Sequence, residues 1–177
     1  MGQIIVVMGV SGCGKTTVGE LVAERLACEF IEGDEYHSRE NIAKMASGQP
    51  LNDEDRRNWM VSLNRKLGEV FATGRQAVLA CSALKEAYRQ WLAKDLQEQI
   101  LFIFLKGDFD EINRRMEDRI DHYMKAYLLA SQFEALEEPQ GVPTFDLVLG
   151  SDEIARRVLA LAEVVGVWRE TGRPSSS

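Results

Sequence analysis

With 177 residues, a formal charge of -7 and 45% hydrophobic content, the chain has the size and composition of one globular domain. The acidic balance argues against a nucleic-acid partner, and no apolar run approaches the roughly 20 residues needed to span a bilayer, so no membrane association is expected. Cys13, Cys28 and Cys81 show neither paired nor metal-ligand spacing, and no basic leader precedes the first strand, which together point to a reduced, cytoplasmic protein.

Ile4-Ile5-Val6-Val7-Met8 is a short β-branched apolar run, as expected of a buried parallel strand. It leads into Gly9-Val10-Ser11-Gly12-Cys13-Gly14-Lys15-Thr16, which fits the phosphate-binding loop pattern at every fixed position. Val18, Leu21, Val22 and Leu26 then recur as one face of a helix. In such a unit, glycines let backbone amides close around phosphate, and the helix adds its positive end. Gly9, Ser11, Gly12, Cys13, Gly14, Lys15, Thr16 and Thr17 are therefore the expected ATP contacts. Lys15, facing solvent in the free protein, would bridge the β- and γ-phosphates, and the Thr16 hydroxyl would hold Mg²⁺. Cys13 lies near a helix N-terminus and Lys15, and both favour a thiolate.

Cys28-Glu29-Phe30-Ile31-Glu32 reads as a second strand ending at Gly33-Asp34. Ser38 is placed to cap a short helix carrying Ile42 and Met45, and Gly48-Gln49-Pro50 stops it. Asn52 or Asp53 caps a longer helix with the stripe Trp59, Leu63, Leu67 and Val70 or Phe71, and Gly74 lies past its end. Ala77-Val78-Leu79-Ala80 is a third strand, followed by Cys81-Ser82-Ala83-Leu84-Lys85 and a helix with Tyr88, Trp91 and Leu92. Ile100 to Leu105 is a fourth strand, and Asp108 caps a helix bearing Ile112 and Met116. Around Arg119 the pattern turns charged, and a helix from Lys125 to Leu136 follows. Phe145 to Leu149 reads as a fifth strand. Ser151 caps a last helix with the stripe Ile154, Val158, Leu161 and Val165.

Strands alternating with helices predict an α/β fold whose parallel sheet is covered on both faces. The reading gives one domain over residues 1–168 and a disordered tail over 169–177. Residues about 35–75 form a helical insertion between the second and third strands, and residues about 107–140 form a charged one before the fifth. Both leave from the carboxyl edge of the sheet, where open α/β sheets bind ligands. One is expected to hold a phosphate acceptor, and the other to close over ATP as a lid.

Phosphoryl transfer needs positioning, charge neutralisation and an oriented nucleophile. Asp34, at the end of the second strand, suits a carboxylate that accepts a hydroxyl proton; the plainer alternative is a solvated turn aspartate. His37 and His122, the only histidines, lie one in each insertion. Arg56-Arg57 begins a helix and Arg89 sits on another. Arg114, Arg115 and Arg119 enter the lid, where Arg119 would reach the γ-phosphate; an arginine run is otherwise a solvated face. The third strand ends Ala80-Cys81-Ser82, without the aspartate that many such proteins use as a second metal contact. That leaves Mg²⁺ on Thr16, phosphates and water, with Asp34 or Ser82 further out.

From about Ile4 to Pro139 the sequence resembles the gluconokinases, small ATP-dependent kinases of D-gluconate. The stretches that carry this are Met8 to Thr17, Gly33-Asp34-Glu35-Tyr36-His37 with Asn41, Lys44 and Met45, and Gly48 to Arg56 with Trp59. Cys81 to Lys85 with Tyr88-Arg89, Leu105 to Asp108, and Ser131-Gln132-Phe133-Glu134 with Leu136-Glu137 and Pro139 complete them. The resemblance implies a P-loop NTPase fold like the nucleoside monophosphate kinases: a five-stranded parallel sheet, an acceptor-binding insertion and a lid. It implies phosphorylation of the gluconate 6-hydroxyl, often by a homodimer. Asp34 is then the base or hydroxyl orienter, and Arg119 the lid arginine. His37, Arg56, Lys85, His122 and Gln132 are implied near the sugar acid, with Arg89 a further candidate. The chain departs from the pattern at Asp121, where the family usually has Gly before the lid histidine, at Lys125, and loosely over Thr144 to Glu153.

Two other readings share the loop. A shikimate or adenylylsulfate kinase would keep it with Asp34 but gives no reason for Pro50-Leu51-Asn52-Asp53. A nucleotide-binding switch would bind ATP with no acceptor.

Overall fold

The computed structural model describes residues 3–117 and 126–164. Its centre is a five-stranded parallel sheet of β1 (Ile4–Met8), β2 (Glu29–Glu32), β3 (Ala77–Ala80), β4 (Ile100–Lys106) and β5 (Thr144–Asp146), in the order β2-β3-β1-β4-β5. Every residue of β1 is buried, because helices cover both of its faces. Its side chains alternate between two cores. Ile5 and Val7 join Ile103, Leu105, Val22 and Val158 under α1 (Lys15–Leu26) and α7 (Ser151–Val164). Ile4, Val6 and Met8 join Leu79, Leu63 and Leu92 under α3 (Asp53–Ala72) and α4 (Glu86–Leu92). The central position of β1 puts the loop that follows it in the middle of the carboxyl edge.

Between β2 and β3 the chain makes a 3₁₀ turn (Gly33–Tyr36), α2 (Arg39–Ala46) and α3. Ser38 caps α2 as expected, accepting the Asn41 N–H through its hydroxyl at 3.1 Å. Asn52 caps α3 in a reciprocal box with Asp55, which settles the choice between Asn52 and Asp53. On α3, Trp59, Leu63, Leu67 and Val70 are buried as expected, and Met60 with them. α2 carries Ile42 and Met45 as expected, but both are exposed, and the inward residue is Asn41. Past β4 come α5 (Phe109–Glu117), capped by Asp108, and α6 (Ala126–Ala135).

Several boundaries move. β2 begins at Glu29, one residue after Cys28. β5 stops at Asp146, because the Asp146 carboxylate accepts the Val148 N–H at 2.8 Å and turns Leu147–Leu149 into a 3₁₀ helix. The last helix starts with Ser151, and the carbonyl that receives its first helical bond belongs to Gly150, so Ser151 is not its cap. Ile154, Ala155, Val158 and Ala162 are its buried residues; Leu161 is half-buried, and Val165 lies outside the described residues, as does the 169–177 tail. No described helix is long and apolar enough to cross a membrane.

Candidate active site

The phosphate loop has the backbone its sequence demands. Gly14 ends it at φ 95° with open space where a side chain would stand, and no side chain caps α1. The first amides of α1 therefore face outward without a protein acceptor competing at the cap, which is the arrangement that receives an anion. Gly9 holds the other end: a Cβ there would lie 2.8 Å from the Leu105 carbonyl oxygen, so only glycine lets the loop lie this close to β4.

Lys15 folds back over this loop. Its ammonium donates to the Val10 carbonyl at 3.0 Å and is half-buried, where the sequence had it facing solvent. Thr16, exposed, donates its hydroxyl to Glu32 Oε2 at 2.6 Å. Glu32 is the last residue of β2, so this bond ties the loop to the strand end that carries Gly33-Asp34. A carboxylate thus stands beside Thr16 from the end of β2, where the end of β3 has none. The sequence places Glu32 at a strand end but not beside Thr16, since that depends on which edge β2 and the loop share.

Cys13 corrects another expectation. Its side chain is only 1% exposed, and burial pushes the thiol up despite the opposing charge of Lys15. A thiolate there is disfavoured.

Gln132 is placed differently from the expectation too. From α6, its Oε1 accepts the Ser11 N–H at 2.7 Å, and its Nε2 donates to the Ser11 hydroxyl at 2.9 Å. Both ends of the amide are spent on the phosphate loop, not on the acceptor side.

The side expected to hold the acceptor grows from the turn after β2. Gly33 sits so close to β3 that a Cβ would lie 2.5 Å from the Ala80 carbonyl oxygen. The Trp59 indole N–H donates to the Gly33 carbonyl at 2.8 Å and pins the turn. Asp34 then projects into solvent, its side chain 79% exposed. His37 stacks on Trp59 at 4.0 Å between ring centroids, with its Nε2 3.9 Å from Asp34 Oδ1. Burial is the main reason its imidazole is held below the usual histidine range, with the Asp34 carboxylate opposing and Arg56 adding to the shift. It is neutral at neutral pH.

Cations gather beside it. The Lys85 ammonium and the Tyr88 hydroxyl both donate to Asp53 Oδ1, at 2.8 and 2.5 Å. The Arg56 guanidinium lies 5.7 Å from the Tyr88 ring centre, and Lys85 5.5 Å. Lys44 is paired with Asp55 at 2.8 Å. The sequence offers Arg56 and Lys85 as site candidates and Asp53 and Tyr88 only as motif positions, because the Asp53 partners come from another part of the chain.

Arg89, a candidate for the sugar acid, turns inward instead. It is 6% exposed and donates to the carbonyls of Ala83, Leu84 and Glu137, with Glu86 as its ion partner. It holds the segment before α4 and the segment after α6 together. Arg119 and His122 lie outside the described residues, as do Asp121 and Lys125.

Among the described residues, no cluster of three or more His, Cys, Asp or Glu side chains could by itself cage a metal. The Thr16 hydroxyl with the Glu32 carboxylate is nevertheless a hard-oxygen pair beside a phosphate seat. That suits Mg²⁺, which takes few protein oxygens and completes its shell with phosphate and water.

The family described as shikimate kinase matches residues 11–137. The thermoresistant gluconokinase of Escherichia coli (strain K12) is 44% identical over 158 residues, covering 89% of this chain and 90% of that protein. The chain belongs to the gluconokinase family and carries a shikimate kinase family domain. Solved structures agree. A gluconokinase from Sinorhizobium meliloti 1021 has a TM-score of 0.83 at 41% identity, covering 93% of this chain and 94% of that one. An unliganded sugar kinase from Janibacter has a TM-score of 0.85 at 38% identity, covering 96% and 100%. The gluconokinase family is a kinase family, so ATP is the phosphate donor it implies. Its motifs here gather at the Gly9–Thr16 loop and around the turn after β2, where His37 lies beside Asp34 and within the field of Arg56, and Arg56 and Lys85 both lie against Tyr88.

Proposed function

We propose that the chain transfers the γ-phosphoryl group of ATP to the 6-hydroxyl of D-gluconate, in the cytoplasm. One observation carries the reading beyond family membership. The Thr16–Glu32 hydrogen bond joins the phosphate loop to the strand end that presents Asp34, so donor and acceptor seats share one edge. The exposed Asp34 carboxylate orients the acceptor hydroxyl and takes its proton. Arg56 and Lys85 supply positive charge for the sugar acid's carboxylate, Lys85 leaving Asp53 when that carboxylate arrives. Lys15 leaves the Val10 carbonyl for the phosphates. Backbone amides of the loop, from Gly9 through Thr17, hold the triphosphate, with Gln132 bracing Ser11. Mg²⁺, held by Thr16 with Glu32 beside it, would neutralise phosphate charge. Residues about 107–140 serve as the lid, with Arg119 and His122 brought over the bound substrates.

A coupled ADP-release assay tests this. ADP should appear with gluconate, and not with shikimate or adenylylsulfate. ATP binding without gluconate-stimulated ADP release would leave a nucleotide switch and overturn the proposal.

A further inference from the structure

Asn41 is 3% exposed, and with Arg89 it makes up the buried polar residues of the described chain. Its side chain leaves α2 beneath the acceptor turn. The Asn41 Nδ2 lies 3.2 Å from the Asp55 carbonyl oxygen and 3.4 Å from His37 Nδ1. A carbonyl oxygen only accepts, so the amide must turn its NH₂ group to this side. One hydrogen serves Asp55, and the other points at His37. His37 Nδ1 must therefore accept. A neutral imidazole that accepts at Nδ1 carries its proton on Nε2. Nε2 is the nitrogen that faces Asp34, 3.9 Å from Oδ1. The stack on Trp59, at 4.0 Å and 25° between planes, packs against one ring face.

We infer that Asn41 is a positioning residue, which acts through His37 by fixing the imidazole as the Nε2–H tautomer. His37 then offers the pocket a hydrogen-bond donor and no base. That assigns the two groups different work: Asp34 accepts a proton, and His37 donates to a substrate lone pair. A polyhydroxy acid has such lone pairs on every hydroxyl and on its carboxylate. The kinetic part of this inference rests on the gluconate reading above; the tautomer does not.

The experiment is a long-range ¹H–¹⁵N correlation of the imidazoles in the full-length protein at about pH 8, where free histidine is neutral. The chain has two histidines, so the spectrum of His37→Gln assigns the signals. His37 is expected to show an unprotonated Nδ1 and a protonated Nε2; the reverse pattern overturns the inference. In Asn41→Asp, a carboxylate cannot donate, and the His37 proton should move to Nδ1. The KM for gluconate should then rise roughly three- to tenfold, the value of one neutral hydrogen bond, with kcat and the KM for ATP steady within about twofold. An unchanged tautomer, or a loss in kcat alone, overturns the positioning role. If Asn41→Asp does not fold, the wild-type spectrum still decides. A wild-type protein with the Nε2–H tautomer but no gluconate-dependent turnover would sink the functional reading and leave the tautomer standing.

Discussion

In the phosphate loop, consecutive residues between β1 and α1 provide the binding groups, and most of those groups are backbone amides. In the proposed acceptor site the groups are side chains, drawn from the turn after β2, from α2, α3 and the start of α4. The loop needs glycines and a helix start, both of which are local. The proposed acceptor site needs partners: Trp59 for the Gly33 carbonyl, Asn41 for His37, Asp53 for Lys85 and Tyr88. A backbone site survives changes around it as long as its own φ angles hold. A side-chain site depends on each supporting contact, so damage to it should fall on one substrate at a time.

The largest effect is expected where the two regions meet. Asp34→Asn keeps the shape and removes the charge, and kcat should fall roughly 10²–10⁴-fold with ATP binding within a few-fold. Intact kcat with a raised KM for gluconate would make Asp34 a binding residue only. Lys15→Ala should lower kcat roughly 10²–10³-fold, the loss seen for a single charge-stabilising donor. The protein should stay folded, because Lys15 gives up one bond to the Val10 carbonyl and no core contact.

Gln132 sharpens the comparison further. Both of its bonds go to Ser11 in the phosphate loop. Gln132→Ala should therefore raise the KM for ATP roughly three- to tenfold and leave that for gluconate unchanged. A rise for gluconate instead would return Gln132 to the acceptor side.

A smaller effect separates the regions by pH. His37 titrates below its ordinary 6.5 in the folded protein because it is buried. Below pH 6.5 the unfolded chain then holds more protons on this side chain, so its stabilising contribution is complete above that pH and is lost as pH falls through the folded value. Denaturation curves of wild type should slope more steeply with pH there than those of His37→Gln, by less than one proton's worth, about 1.4 kcal/mol per pH unit. Equal slopes would place His37 in water. The smallest expected effect is none: thiol reagents at neutral pH should modify Cys13 slowly, at the same rate with or without ATP, because the thiol is buried and protonated. Rapid inactivation that ATP prevents would show that the loop opens.

The strand, loop and helix from Ile4 to Leu26 were determined by the sequence alone, and so were β3 and the stripe of α3. Each depends on a short run of neighbours: β-branched residues that favour extension, glycines that allow positive φ, and apolar side chains at helical spacing. The same local signals misread Leu147–Leu149, where apolarity suggested that the strand goes on and the Asp146 side chain made a turn. They gave Asn41 no role beyond a motif position, because Ile42 and Met45 are the more apolar residues on α2 and yet lie exposed. The tertiary structure decided which side chain serves which group. Glu32 reaches Thr16 because β2 and the loop end at the same edge, and Gln132 reaches Ser11 across 121 residues of chain. It also buried Cys13, and so set its protonation against the helix end and the lysine. Backbone conformation follows from neighbours in sequence, whereas a polar side chain's partner follows from which elements pack together, and no spacing along the chain encodes that.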